Sequence, residues 1–302
     1  MFIYKYSQLT ERIPYSKIQE NICVSKKLHL GQLKLLMSEI LFLTKKAEKG
    51  NKVLYVGAAE GYHISKLADM FPFLQFDLWD PGRFKLEMRP NIKIYNNFFT
   101  NDDAYEYKKE GNNILFISDI RNLDIAKYQT DESNTELENK IDNIIENDNN
   151  KQLKWVQIIK PKYAYLKFRL PYRPGISKYI KGTIYLQPYA PISTEVRLLT
   201  NDYNKLVDYD NVEHDERMAY FNCFIRNNTN LSRFKKIMKK YNIKNIWDNY
   251  LCFYILYLYL DKIHNIPKSK LDDETAKLFL DIINFLNKKY IDKYNILLEK
   301  NN

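Results

Sequence analysis

The 302 residues carry 47 Lys and Arg against 37 Asp and Glu, a net charge of +10, and 45% of them are hydrophobic. That length suits one large α/β domain with extensions or two small domains, and the apolar content is enough for a full core and excludes a disordered chain. The charge points to a polyanionic partner, nucleic acid or an anionic membrane surface, while three scattered cysteines and four histidines without ligand spacing argue against a disulfide framework or zinc site and fit a reducing compartment.

Residues 1–29 read as an irregular segment with Pro14 and mixed charge, and contain no apolar run long enough for a signal peptide. Leu30 to Lys49 predicts a helix, because Leu33, Leu36, Ile40 and Leu43 recur at helical spacing and Gly50 follows. Val53 to Val56 is apolar without alternation, as in a strand covered on both faces. It runs into Gly57-Ala-Ala-Glu-Gly61 and a helix over Tyr62–Met70. The two glycines permit a tight turn and close approach of a ligand, and the following helix start favours polar or anionic groups. A tight turn in some α/β domain would look the same.

Gln75–Asp80 predicts a second strand, Pro81-Gly82 a turn, Ile92–Tyr95 a third strand and Asp102–Lys109 a helix. Ile114–Asp119 is a fourth buried strand. The polar stretch Thr130–Asn150 contains a helix with a loop at Asn147–Asn150, and Leu153–Ile159 is helical again. Strands follow at Ala164–Leu170, Ile184–Gln187 and Glu195–Thr200. Val212–Arg226, Leu231–Tyr241, Ile246–Ile263 and Glu274–Leu298 read as helices. The apolar run Leu251–Leu260 is too short to span a bilayer and reads as a buried helix. Strands alternating with helices predict a Rossmann-like, mostly parallel sheet with helices on both faces, where ligands sit at the strands' carboxyl ends. Gly57, Asp80 and Asp119 all fall at such ends.

Asp80 stands where an acidic residue binds ribose hydroxyls of an adenosine-containing cofactor, although a turn or capping aspartate would occupy the same place. A dinucleotide needs G-x-G-x-x-G, but the middle glycine is absent here, so a pyrophosphate would meet side chains. S-adenosylmethionine has no phosphate and tolerates the turn. Lys34, Asp119, Lys167 and Glu195 are charges set in otherwise apolar elements, costly unless paired or used.

Several stretches stand together in one order: Gly31-Gln-Leu-Lys-Leu-Leu36, Gly57 to Gly61 followed by His63-Ile64, and Ile117-Ser-Asp-Ile-Arg121. Leu166-Lys-Phe-Arg169 with Pro171, Leu186-Gln-Pro-Tyr-Ala-Pro191 and Glu195-Val-Arg-Leu-Leu199 follow, with Arg217-Met218, Asn222 and the helix Ala276–Phe285 as fainter likenesses. Across roughly residues 15–288 the chain resembles the poxvirus cap-specific mRNA nucleoside-2′-O-methyltransferases, which double as the small processivity subunit of a viral poly(A) polymerase. The richness in Asn, Lys, Ile and Tyr would suit the AT-rich genome of an insect poxvirus or related large DNA virus.

The resemblance implies a catalytic tetrad of Lys34, Asp119, Lys167 and Glu195 and S-adenosylmethionine contacts at Gln32, Gly57, Gly61, Asp80, Arg83 and Arg121. It implies a 7-methylguanine base held between Tyr15 and Tyr172 with Asp215 beside it, and among the basic residues Lys160, Lys162, Arg169 and Arg173, Arg169 is read as an RNA contact. It also implies capped mRNA and a poly(A) polymerase catalytic subunit as partners, and the host cytoplasm and virion as locations. Three domains follow: residues 1–29 helping to form the cap pocket, a methyltransferase domain over 30–265 and a helical extension over 266–302. Some positions depart from the family. Glu60 replaces a proline, Pro81 lengthens the turn before Arg83, Pro174 stands where a cap-pocket aspartate is expected, and the stretch from Glu195 to Asp215 is short. The readings left open are the cap methyltransferase, an RNA-binding polymerase subunit with a vestigial site, and a dinucleotide-dependent enzyme.

Overall fold

In the computed structural model, residues 2–15, 30–121, 134–227 and 231–299 are described. Most of the expected segment 1–29, including Cys23, therefore lies outside the described residues, as do 130–133 of the predicted polar stretch. Helix α1 (Gly31–Lys46) precedes the first βα unit, β1 (Lys52–Val56) and α2 (Tyr62–Met70). Strands β2 (Gln75–Trp79) and β3 (Ile92–Tyr95), helix α3 (Asn101–Tyr107) and strand β4 (Ile114–Ser118) follow. Then come α4 (Asn134–Ile159), β5 (Tyr163–Phe168), β6 (Ile176–Ile180), β7 (Thr183–Tyr185), β8 (Val196–Thr200) and β9 (Leu206–Asp210). The chain closes with α5 (Asn211–Tyr220), α6 (Lys235–Lys240), α7 (Trp247–Ile263) and α8 (Lys268–Tyr290).

Seven strands form one sheet in the order β3-β2-β1-β4-β5-β8-β7, and β6 pairs with β9 in a separate ribbon. From β3 to β5 the pairing is parallel, while β8 runs antiparallel to both neighbours. The order reverses between β1 and β4, the switch point at which open α/β sheets bind ligands. Val53–Val56 and Ile114–Ser118 are buried throughout, as their uninterrupted apolar sequences require. Helices α1, α2, α7 and α8 pack on one another in one group, and α3 packs on α4 in another. Leu33, Leu36, Ile40 and Leu43 of α1 are fully buried; truncating any one to alanine would cost about 2–5 kcal/mol.

Four expectations fail locally. No loop interrupts Asn147–Asn150, because α4 is continuous; Asn149 is buried and donates to Arg169 O at 2.8 Å, so a turn-forming residue is used as a helix-to-strand tie. The ribbon β6–β9 was not expected, its strands being half exposed and without a strong apolar signal. The last long helix starts earlier and ends at Tyr290 rather than near Leu298, where Asp292 adopts φ 58° and breaks the helical path. Cys223 is disulfide-bonded, against the expectation of reduced cysteines, while Cys252 is free and buried. Among the described residues no helix is long and apolar enough to cross a membrane.

Candidate active site

The Gly57 turn opens the site. Gly57 has φ +84°, and a Cβ there would lie 2.7 Å from the backbone carbon of Asp119. Only glycine lets the ends of β1 and β4 approach so closely. Gly61, at φ +69°, starts α2, and a Cβ there would meet Ala58 O at 2.8 Å. Beside this turn lies a cavity of about 430 Å³, lined by Gly57, Asp80, Phe98, Phe99, Ile120 and Arg121 among others. The Trp79 ring, stacked on Tyr95 at 4.3 Å, forms part of its wall. Asp80 accepts from Gly82 N at 2.6 Å and Ala59 N at 3.2 Å, which fixes its carboxylate at the cavity edge and leaves oxygen lone pairs for a ligand.

The resemblance-derived cofactor residues divide. Gly57, Asp80 and Arg121 line the cavity. Gly61 shapes the turn behind it. Gln32 is half-buried, and its amide oxygen accepts from His63 N at 3.1 Å and lies 2.9 Å from His63 Nδ1. Arg83 is exposed and does not line the cavity; Pro81 sits on the lining instead. Glu60 pairs with Lys85 and its backbone accepts from Lys85 N at 2.9 Å, so its carboxylate is engaged outside the cavity.

The four charged residues converge. Lys34 Nζ lies 2.6 Å from Glu195 Oε1, and Lys167 Nζ lies 3.3 Å from both Glu195 Oε2 and Asp119 Oδ1. Asp119 follows β4, Lys167 is near the end of β5 and Glu195 precedes β8, while Lys34 lies in the first turn of α1. Burial pushes the Lys34 pKa down, and the Arg197 and Lys167 charges add to this while Glu195 and Asp119 oppose it; the result stays below the ordinary lysine value. Burial alone would raise both carboxyls, but the surrounding cations hold Asp119 below and Glu195 well below the usual range. Lys167, with Arg121 and Arg169, also lines a cleft that shares Ile120 and Arg121 with the cavity beside Gly57.

Three residues of this centre had not been singled out as site residues. Arg197 is 2% exposed and donates to Asp119 Oδ1 at 2.7 Å and Ser118 O at 3.1 Å. Its sequence signal was a cation inside the otherwise apolar Val196–Leu199 run. Glu39 and His63 are buried within α1 and α2, and Glu39 accepts from Tyr55 OH at 2.7 Å and lies 3.0 Å from His63 Nε2. Their chain of contacts ends on Gln32 and sets its position. The start of α1 is tied from the other side: Leu30 N donates to Tyr189 O, and Tyr189 N donates to Asp248 Oδ1 at 2.6 Å. Asp248 is paired with Arg226 at 2.8 Å, both side chains 1% exposed. Losing one partner of such a pair typically costs about 3–5 kcal/mol.

The second cluster surrounds two tyrosines. Tyr15 and Tyr172 have ring centroids 5.9 Å apart with planes inclined at 50°. The Arg169 guanidinium lies 4.7 Å from the Tyr172 ring and bonds its hydroxyl. Asp142 of α4 accepts from the backbone N–H of Tyr172 at 2.7 Å and of Arg173 at 2.9 Å, which fixes that loop. Asp215 is 6% exposed, and its Oδ1 has no partner among the described residues. Burial raises its pKa to about 7, with Asp142 adding and Arg169 opposing. Asp215 therefore does reach this cluster despite the short preceding segment, while Pro174 is exposed.

A family described as the poly(A) polymerase regulatory subunit matches residues 2–290. The chain belongs to that family. It is 30% identical over 254 residues to the cap-specific mRNA (nucleoside-2′-O-)-methyltransferase of Myxoma virus strain Lausanne, covering 75% of this chain and 70% of the relative. The strain Uriarra protein of the same name shows the same identity and coverage. Membership in the family agrees with the motif order read from the sequence, and the α/β sheet agrees with the fold the resemblance implied.

Proposed function

We propose that this protein methylates the ribose 2′-hydroxyl of the first transcribed nucleotide of capped mRNA and also serves a viral poly(A) polymerase as its regulatory subunit, acting in the host cytoplasm and virion. The observation that carries the reading is the Lys34–Glu195–Lys167–Asp119 cluster, whose Lys167 lines the cleft adjoining the cavity beside Gly57. The Gly57 cradle and the Asp80 carboxylate fit S-adenosylmethionine, which supplies a methyl group on a sulfonium when bound. Gly57, Asp80 and Arg121 would hold it, with Gln32 behind the glycine turn.

A hydroxyl must lose its proton as it attacks the methyl carbon, and a lysine accepts that proton only when neutral. Fully ionised, the centre holds three cations, Lys34, Lys167 and Arg197, against two carboxylates, Asp119 and Glu195. One lysine can therefore lose its proton and leave the centre balanced. Lys34 and Lys167 share Glu195, one on each oxygen, so a charge on either disfavours a charge on the other. Lys167 faces the cleft, and we assign it as the general base or the group that steers the hydroxyl. Asp119 and Glu195 position the two ammonium groups.

Tyr15 and Tyr172 suit a flat cationic base such as 7-methylguanine. A ring held between two others needs roughly 7 Å between the outer planes, so the two tyrosines must part by about 1 Å and turn parallel to admit it. Asp215 offers a buried carboxylate oxygen for the base edge, a role Pro174 cannot fill.

The test is transfer of labelled methyl from S-adenosylmethionine to short RNAs with and without a 7-methylguanosine cap. Transfer confined to capped RNA and located on the first ribose supports the reading. No transfer to either RNA, with stimulation of a poly(A) polymerase retained, would favour the second reading, a regulatory subunit with a vestigial site, which the family description by itself also fits.

A further inference from the structure

A band of aromatic rings and lysines borders the β7 edge of the sheet, next to α1 and α7. The N-terminal segment runs antiparallel to that edge: Lys5 bridges to Tyr185, and Leu186 N donates to Tyr4 O at 3.1 Å. This sets Tyr4 against Tyr254 at 5.0 Å and Tyr185 at 6.1 Å between centroids, and Phe2 against Tyr250 at 4.5 Å. Phe2, Tyr4, Tyr250, Tyr254 and Tyr257 line a cavity of about 400 Å³, and all but Tyr250 keep part of their surface in solvent.

Three lysines lie near rings at this edge, and a fourth stands close to one of them. Lys5 Nζ lies 5.6 Å from the Tyr4 ring, Lys45 Nζ 6.0 Å from Tyr185, and Lys46 Nζ 4.1 Å from Tyr163. Lys262 ends α7 close enough that its charge, with those of Lys5 and Lys46, joins burial in lowering the Lys45 pKa, which Tyr4 opposes. The carboxylates bordering the band are engaged elsewhere, Asp261 by Lys268 at 2.7 Å and Asp272 by Arg233 at 2.8 Å. Among the described residues none of the four lysines has an ion-pair partner.

We propose that this band binds single-stranded polynucleotide, with phosphates on Lys5, Lys45, Lys46 and Lys262 and bases stacked on Tyr4 and Tyr254. Like charges gathered without counter-charges favour a polyanion. Aromatic faces among them select an anion that carries exposed flat rings, which a phospholipid headgroup or a stacked duplex does not offer. The band is separate from the tetrad: α1 carries Lys34 in its first turn and Lys45 eleven residues further on, about 16 Å along the axis. The inference does not depend on methyl transfer.

The experiment is fluorescence anisotropy of the full chain with uncapped oligoadenylate of about twelve nucleotides, as RNA and as DNA, over a salt series with excess cap analogue present. In Lys45→Gln/Lys262→Gln, affinity should fall and the slope of log K against log salt should shrink by about 1.4, at about 0.7 per phosphate contact. In Tyr4→Leu/Tyr254→Leu, affinity should fall at least about thirtyfold at every salt concentration with the slope kept, and a duplex of equal length should show no such loss. A preference for RNA over DNA would identify the source of the strand, and equal binding would leave the shared chemistry standing. Melting curves check folding; if the tyrosine variant fails to fold, the surface-lysine variant decides alone. Unchanged affinity and slope in the lysine variant overturn the proposal. So does retained RNA binding coupled to lost association with a polymerase catalytic subunit, which would make the band a protein interface.

Discussion

Replacing Lys167 by arginine separates proton transfer from charge. In the native centre Lys167 Nζ lies 3.3 Å from Asp119 Oδ1 and Glu195 Oε2, so an arginine there can keep a cation beside both carboxylates. Arginine cannot give up its proton in a protein and cannot serve as the base. General-base assistance is typically worth 10²–10⁴-fold, or about 3–5 kcal/mol of barrier. Lys167→Arg and Lys167→Ala should therefore both lose methyl transfer by about that factor. Lys167→Ala leaves Lys34 and Arg197 facing Asp119 and Glu195, two charges against two, so the centre does not acquire an unbalanced carboxylate. Single-turnover methyl transfer to capped RNA measures the chemical step, and calorimetry measures cofactor and cap affinity, which should stay near wild type. A folded Lys167→Arg protein with a single-turnover rate within about tenfold of wild type would refute the assignment of Lys167 as base.

Asp80→Ala should weaken S-adenosylmethionine binding by about 1–3 kcal/mol in calorimetry. Asp80→Asn should lose less, since an amide oxygen can still accept from Gly82 N; unchanged affinity in the alanine variant would remove Asp80 from the site. Tyr172→Ala should lose about 1–3 kcal/mol of cap-analogue affinity, whereas Tyr172→Phe keeps the stacking ring and should lose much less. Equal losses in the two variants would show that the hydroxyl and its Arg169 contact, rather than the ring, hold the base. Asp215 gives a stability prediction. Its carboxyl titrates near 7 when folded against an ordinary 3.8, so the folded state keeps its proton to higher pH than the unfolded chain. Its cost to stability is absent below about pH 4, grows as pH rises toward 7 and is complete above that. Asp215→Asn should raise the melting temperature at about pH 8 and leave it nearly unchanged at about pH 4; equal shifts at both would contradict the burial argument.

Much of the centre could be read from sequence because its residues break a local rule. A lysine among the leucines of α1, another inside β5, an aspartate at the end of β4 and a glutamate before β8 all conflict with the apolar pattern around them, and the fold brings these violations together. Arg197 broke the same rule in the middle of a quoted motif. Its role depends on which strand lies beside β8, and strand order is not written in periodicity. The β8–β5 pairing, with Arg197 opposite Lys167, is what brings it under Asp119. The continuous α4 was misread at Asn147–Asn150 because four polar turn-formers outweigh helical spacing in a local reading; the tie from Asn149 to Arg169 lies 20 residues away in sequence. The β6–β9 ribbon and the end of α8 were missed for a similar reason: half-exposed strands and a helix stop made by a left-handed Asp292 leave little compositional trace. Arg83 shows the converse, a residue carried over by motif that the Pro81 turn leaves exposed.

The third cation explains why this set of residues suits proton transfer. Two lysines and two carboxylates alone would form two ion pairs, and each ammonium would be held in its charged form. Arg197 is always charged, is nearly inaccessible and takes Asp119 at 2.7 Å, closer than Lys167 does at 3.3 Å. Asp119 is thereby partly neutralised before either lysine is counted. Glu195 is left between Lys34 and Lys167, with the nearer contact to Lys34 at 2.6 Å. Lys167 is held at 3.3 Å from both carboxylates, farther than Lys34 stands from Glu195, and it is the lysine on the cleft. A permanent cation behind the site thus takes up part of the carboxylates' charge, while those carboxylates keep the Lys167 side chain aimed at the place where the hydroxyl would arrive.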